Sequence, residues 1–104
     1  MIGIEISKST NVGIEDLWIT NCKIGIGIQD SRDSIIKGDD ISFGKYGILL
    51  HSSTDNTLTN NTTNSNSRGG IKIWSSSNNN TLTNNTTNSN NNTIILDLFI
   101  LFLN

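Results

Sequence analysis

The chain has 104 residues, a formal net charge of −2, one Cys, one His, one Met and no Pro. Such a chain makes one small domain, and it lacks the basic run of a nucleic-acid binder, the cysteine pair of an internal disulfide and enough soft ligands for a zinc or copper site of its own. Asn, Ser and Thr supply 42 residues and Ile another 17, with no Ala; polar side chains that compete for backbone hydrogen bonds disfavour helices and suit short Ile-rich strands joined by turns.

In chain order, four units each open on a glycine followed by an alternating apolar pair: Gly3-Ile4-Glu5-Ile6, Gly25-Ile26-Gly27-Ile28, Gly47-Ile48-Leu49-Leu50 and Gly70-Ile71-Lys72-Ile73, then a degenerate Thr93-Ile94-Ile95-Leu96. The steps between them are 22, 22, 23 and 23 residues. Self-similarity at such a period marks a solenoid, and the period of two within each unit marks a strand with one buried face. Ile4/Ile6, Ile26/Ile28, Ile48/Leu50 and Ile71/Ile73 are therefore expected to point inward together. A second strand is expected around Ile14, Ile36, Leu58 and Leu82, with Ser75-Ser76-Ser77 absorbing one extra residue in the last unit. Ile19, Ile41, Thr63 and Thr87 form a third, weaker inward column. A single coil buries too few aliphatic side chains to offset the entropy of ordering it, so stability has to come from contacts between coils.

The segment Asn56 to Asn66, NTLTNNTTNSN, recurs letter for letter at Asn80 to Asn90. Stacked asparagines can bond amide to amide, and Asn60/Asn84 and Asn61/Asn85 are the expected ladders. Asn-rich low complexity is also compatible with disorder, against which the phase-locked Ile columns stand. Ile14-x-x-Leu17-x-Ile19-x-x-Cys22 fits the skeleton of a leucine-rich repeat, but Asp39 and Asn61 occupy the middle apolar position of later units. Cys22 is most simply a small residue in a turn. Ile94 to Leu103 is almost wholly apolar and far shorter than the roughly 20 residues that span a bilayer, so no membrane span is expected. Ile94 and Leu96 fit a fifth strand, and residues 97–104 form an apolar tail or cap. An uncovered coil end would offer unpaired strand edges, so end-to-end self-association is an expected partner mode.

The pattern G-I-x-I/L-x-S-S-x-x-N-T-I/L-x-N-N, in Tyr46 to Asn61 and Gly69 to Asn85, resembles the right-handed parallel β-helix repeat of the pectate-lyase-like superfamily, and within it the NosD-type repeats of carbohydrate-binding and sugar-hydrolase domains. The resemblance runs from residue 2 to about 96. It implies an all-β fold, a single-stranded right-handed parallel β-helix of about four coils over residues 1–96, ending in the irregular apolar segment. It implies little about activity, because that superfamily includes lyases, hydrolases, epimerases and binding modules. Gly38-Asp39-Asp40 superficially resembles the paired aspartates of polygalacturonases, yet Asp39 aligns with Asn61 in the asparagine-turn region, where a solvated turn is expected. The partner motifs Asn-Thr-Asp, Gly-His-Gly and Arg-x-Lys are absent. Arg68 and Lys72 stand without the acidic calcium ligands that accompany such bases in lyases of the superfamily, and no cofactor, metal site or catalytic residue is expected here.

If the inward pairs hold, their neighbours stack outward about 4.8 Å apart, in columns Ser7, Gln29, His51, Trp74 and Glu5, Gly27, Leu49, Lys72. Gln29, His51, Lys72 and Trp74 are the expected ligand-binding residues. An exposed indole offers a flat apolar face to a pyranose ring and the polar groups meet its hydroxyls, so a polysaccharide or glycan is the expected partner. The competing reading has Trp74 covering the end of the solenoid. The threonine pairs Thr57/Thr59 and Thr81/Thr83 invite an ice-binding reading, which ends at their counterparts Ile35/Lys37 and Gly13/Glu15. Asn-x-Ser/Thr sequons begin at Asn60, Asn61, Asn79, Asn84, Asn85 and Asn91 and matter only on export. No secretory signal is visible before the first unit, and the chain is expected to be an excerpt of a longer protein, since solenoids need atypical capping units. The expectation is a non-catalytic β-helix module, a scaffold or carbohydrate-binding segment of a larger surface or secreted protein, located outside the cell. The alternative is a fragment of a polysaccharide lyase or glycoside hydrolase whose catalytic residues lie on other coils.

Overall fold

The computed structural model describes residues 1–74, 77–88, 94–96 and 102–103. Each coil is one strand of six residues followed by two of three. The first coil carries β1 (Ile2–Ser7), β2 (Gly13–Glu15) and β3 (Trp18–Thr20), and the second β4 (Ile24–Gln29), β5 (Ile35–Lys37) and β6 (Asp40–Ser42). The third carries β7 (Tyr46–His51), β8 (Thr57–Thr59) and β9 (Thr62–Asn64), and the fourth β10 (Gly69–Trp74), β11 (Thr81–Thr83) and β12 (Thr86–Asn88). Two further strands follow, β13 (Ile94–Leu96) and β14 (Phe102–Leu103). Equivalent strands pair in parallel into three sheets, ordered β1-β4-β7-β10-β13, β2-β5-β8-β11-β14 and β3-β6-β9-β12. The chain is a parallel β-helix, as the repeat predicts.

Register follows the isoleucines. Ile4 pairs with Ile26, Ile26 with Ile48, Ile48 with Ile71 and Ile71 with Ile94. Ile14, Ile36, Leu58 and Leu82 stack in the second sheet, and Ile19, Ile41, Thr63 and Thr87 in the third. Branched side chains at every second position of a strand fill the interior, and the buried set runs from Ile6 and Ile14 through Ile26, Ile28, Ile36, Ile41, Ile48, Leu50 and Leu58 to Ile71, Ile73 and Leu82. The offset grows between His51↔Trp74 and Ser53–Ser77, which places the extra residue of the fourth coil between β10 and Ser77; of the expected serines, Ser75 and Ser76 lie outside the described residues. The glycine opening each unit is a packing requirement: a Cβ on Gly25 would lie 2.7 Å from the Gly47 carbonyl oxygen and collide with Ile41 Cγ2, and one on Gly47 would meet Gly70 O at 2.5 Å.

Between strands the chain turns on single residues with positive φ. They recur in columns: Lys8, Asp30, Ser52; Asn11, Asp33, Asp55, Asn79; Asp16, Gly38, Asn60, Asn84; and Asn21, Phe43, Ser65. At these corners the amide donates to a carbonyl of the next coil, as in Lys8 N–H to Gln29 O (3.0 Å) and Asn60 N–H to Thr83 O (3.0 Å), so the backbone ladder continues around the bends.

Buried polar side chains run beside those corners. Ser34 N–H donates to Asn56 Oδ1 (2.9 Å) and Asn56 N–H to Asn80 Oδ1 (2.9 Å), while Asp39 N–H donates to Asn61 Oδ1 (3.0 Å) and Asn61 N–H to Asn85 Oδ1 (3.0 Å). Each amide nitrogen donates back to a carbonyl of the preceding coil, Asn61 to Ile36 O at 2.9 Å and Asn85 to Leu58 O at 2.8 Å. A serine column repeats the device, with Ser31 N–H to Ser53 Oγ (3.2 Å) and Ser53 N–H to Ser77 Oγ (3.0 Å). Asn61/Asn85 is thus a ladder as expected, and Asn60/Asn84 is not: both occupy left-handed corners and their side chains are exposed. Asp39 corrects the solvated-turn expectation, since it is 1 % exposed and forms a rung by accepting from Leu17 N–H at 2.9 Å. Of the expected C-terminal tail or cap at 97–104, Phe102–Leu103 pairs with β11 and the other residues lie outside those described.

Candidate functional site

The first sheet carries the longest strands, and its outer face gathers the predicted residues. Ser7, Gln29, His51 and Trp74 lie in one column and Glu5, Gly27, Leu49 and Lys72 in the next. Ile24 and Tyr46, paired in register, join them on this face. The contacts show it: the Lys72 ammonium lies 5.3 Å from the centroid of the Tyr46 ring, and Ile24 Cγ2 would lie 3.6 Å from a Cβ on Gly27.

Three of the four predicted residues touch. Lys72 Nζ stands 4.7 Å from the Trp74 ring centroid, and the His51 ring meets the indole at 4.7 Å with an interplanar angle of 64°. A cation between two aromatic rings and an edge-on ring pair are each worth about 0.5–1 kcal/mol at a partly exposed site, enough to hold these side chains in one arrangement. Trp74 is therefore half-buried, a correction to its expected exposure, and its buried Nε1 has no hydrogen-bond partner among the described residues. Gln29 is exposed and pairs along the backbone with His51 but lies toward the other end of the face.

There the outer face is concave. A hollow of about 70 Å³ opens over Gly27, walled by Ile2, Ile24 and Leu49 and rimmed by Glu5, Gln29 and His51. Gly27 makes the hollow, since every other residue of its column has a side chain. Sequence reasoning placed the column correctly and passed over its gap; the available signal was a glycine at an outward strand position, where no turn or positive φ calls for one.

Asp39 and Asp40 do not form a working pair. Asp39, just before β6, is buried as a ladder rung, and Asp40, the first residue of the strand, is exposed. Burial raises the Asp39 pKa, the Leu17 amide opposes that shift, and the charges of Asp16 and Glu15 add to it. Among the described residues no group of three or more His, Cys, Asp or Glu is gathered as a metal-ligand set, and no helix is long and apolar enough to cross a membrane.

Three parallel sheets around stacked aliphatic columns define a β-helix solenoid. The family described as right handed beta helix region matches residues 1–97, and the chain belongs to it. No match was found among curated proteins or among solved structures.

Proposed function

We propose that this protein is a non-catalytic β-helix module that binds carbohydrate on the outer face of its first sheet, as a segment of a larger cell-surface or secreted protein of NosD-like type. The observation that carries this reading is the fixed cluster of Tyr46, Lys72, Trp74 and His51 beside a hollow rimmed by Gln29 and Glu5: aromatic and aliphatic area for sugar rings, flanked by groups that bond hydroxyls. The face is rigid because parallel ladders fix every column, which reduces the ordering cost of binding. A glycan array followed by titration of the best ligand tests the reading. Trp74→Ala is expected to weaken that ligand at least about tenfold, the scale of losing one aromatic anchor. Failure of every glycan, or an unchanged variant, would leave the patch as ordinary surface.

The separation of Asp39 and Asp40 argues against the alternative of a lyase or hydrolase fragment with its chemistry in this chain. Incubation with polyuronates should yield no unsaturated products, and turnover would reverse the assignment. We also propose end-to-end self-association through the first coil, where β1, β2 and β3 are edge strands of the described sheets and Met1 and Trp18 are each 81 % exposed.

A further inference from the structure

We propose that the hollow over Gly27 is a subsite for the acetamido group of an N-acetylhexosamine; this rests on the carbohydrate-binding reading and narrows it to a sugar class. Size decides first. A hollow of about 70 Å³ is several times the roughly 10–15 Å³ that one water needs and small beside an ordinary small-molecule pocket, so it suits one short substituent. A pyranose therefore lies across the open sheet and lowers a side group into the gap.

Chemistry selects the group. The residues lining it are Ile2, Ile24, Ile28 and Leu49, whose aliphatic character suits a methyl, together with Glu5, Gln29 and His51, which bring a carboxylate, an amide and an imidazole to the same place. An acetamido group meets both demands: its methyl sits against the walls, its N–H donates to Glu5, and its carbonyl accepts from Gln29 or His51. A uronate carboxylate in the same place would face Glu5 and lose by like-charge repulsion and by desolvation against aliphatic walls. An unsubstituted hydroxyl leaves the apolar part unfilled. The hollow thus separates acetylated sugars from the uronates and the plain hexoses.

The column also supplies a clean obstruction. A Cβ on Gly27 would meet Ile24 Cγ2 at 3.6 Å and Ile2 Cγ2 at 3.8 Å, ordinary contacts, so Gly27→Ala folds without displacement and begins to fill the gap. Gly27→Leu fills it with the side chain that Leu49 already places one rung further on. The experiment is calorimetric or NMR titration of the full chain with tri-N-acetylchitotriose, cellotriose and trigalacturonate, on wild type, Gly27→Ala, Gly27→Leu and Trp74→Ala, each variant first checked by circular dichroism. The acetylated trimer is expected to bind at least about tenfold more tightly than cellotriose, the discrimination one substituent in a fitted pocket supplies. Gly27→Leu is expected to abolish that preference while keeping weak binding common to both sugars, with Gly27→Ala intermediate. Equal binding of acetylated and plain trimers, or a preference that survives Gly27→Leu, overturns the subsite and leaves the broader reading standing. Absence of binding by all sugars overturns both.

Discussion

At Asp39 one oxygen atom separates a ladder rung that fits from one that does not. Asn61 at the next rung accepts the Asp39 amide through Oδ1 and donates through Nδ2 to Ile36 O. Asp39 accepts from Leu17 through Oδ1, but its buried Oδ2 has no partner among the described residues. Because Ile14 registers with Ile36, that atom stands where an amide would donate to the Ile14 carbonyl. Asp39→Asn is thus expected to stabilise the protein at neutral pH by about 1–3 kcal/mol, the cost of a buried unsatisfied group. The pH dependence has an unusual sign. Because burial, first among the causes, pushes the folded-state pKa above the ordinary value of an aspartate, the native state holds the proton to higher pH than the unfolded state does. This residue's penalty is absent below the unfolded pKa, grows as pH rises toward the folded value and stays constant above it. Urea unfolding at a series of pH values should show wild type gaining on Asp39→Asn as pH falls; a constant difference would remove the argument. Phe43 is a second misfit, a bulky residue at φ 61° in the column of Asn21 and Ser65. Phe43→Asn should raise stability by about 1 kcal/mol in the same assay, since Asn tolerates the left-handed region and Phe does not.

Within one strand, two glycines make opposite demands. In β4, a Cβ on Gly25 runs into the next coil's backbone, whereas a Cβ on Gly27 stands in open contact with Ile24 and Ile2. Gly25→Ala is expected to cost about 1–3 kcal/mol by overpacking, and Gly27→Ala to be neutral or stabilising by up to about 1 kcal/mol through lower unfolded-state entropy. Thermal unfolding of the pair decides it, and equal effects would contradict the stacking geometry. The same scale shows what the sequence disclosed. The strand columns were readable because side-chain direction alternates and the spacing is fixed, so Ile26, Ile48 and Ile71 could be aligned without coordinates. The ladders were half readable. Asn60 and Asn61 are adjacent and chemically identical, and only backbone conformation separates the left-handed corner from the buried rung; Gly38 in the column of Asn60, against Asp39 in that of Asn61, was the signal. Asn56/Asn80 and the serines at 9, 31, 53 and 77 were hidden because serine and asparagine read equally well as loop residues. Of the candidate face, the columns were legible, but the Lys72 contact with Trp74 and the hollow depend on side-chain placement that spacing does not specify.

Across the whole molecule, each coil touches only its neighbours, so stability is a sum of interfaces and the ends are the weak places. The ladders have a direction: a side-chain oxygen on one coil accepts from the coil before it, as Asn56 does from Ser34. In the first coil the corresponding positions of the asparagine ladders are Val12 and Leu17, whose side chains have nothing to offer in that role, while Ser9 of the serine column keeps a hydroxyl. Contact made there rests mainly on strand edges and the exposed apolar residues, so sedimentation velocity should show concentration-dependent association that Trp18→Lys reduces; a monomer at all concentrations would contradict end-to-end contact. The carbohydrate reading depends on the opposite property, a broad side wall whose columns stay fixed. Amide and side-chain chemical shifts recorded while an acetylated oligosaccharide is titrated test this most directly. Perturbations should cluster at Glu5, Gly27, Gln29, His51, Lys72 and Trp74 and leave the second and third sheets silent. Shifts confined to those other sheets, or none at saturating sugar, would contradict it.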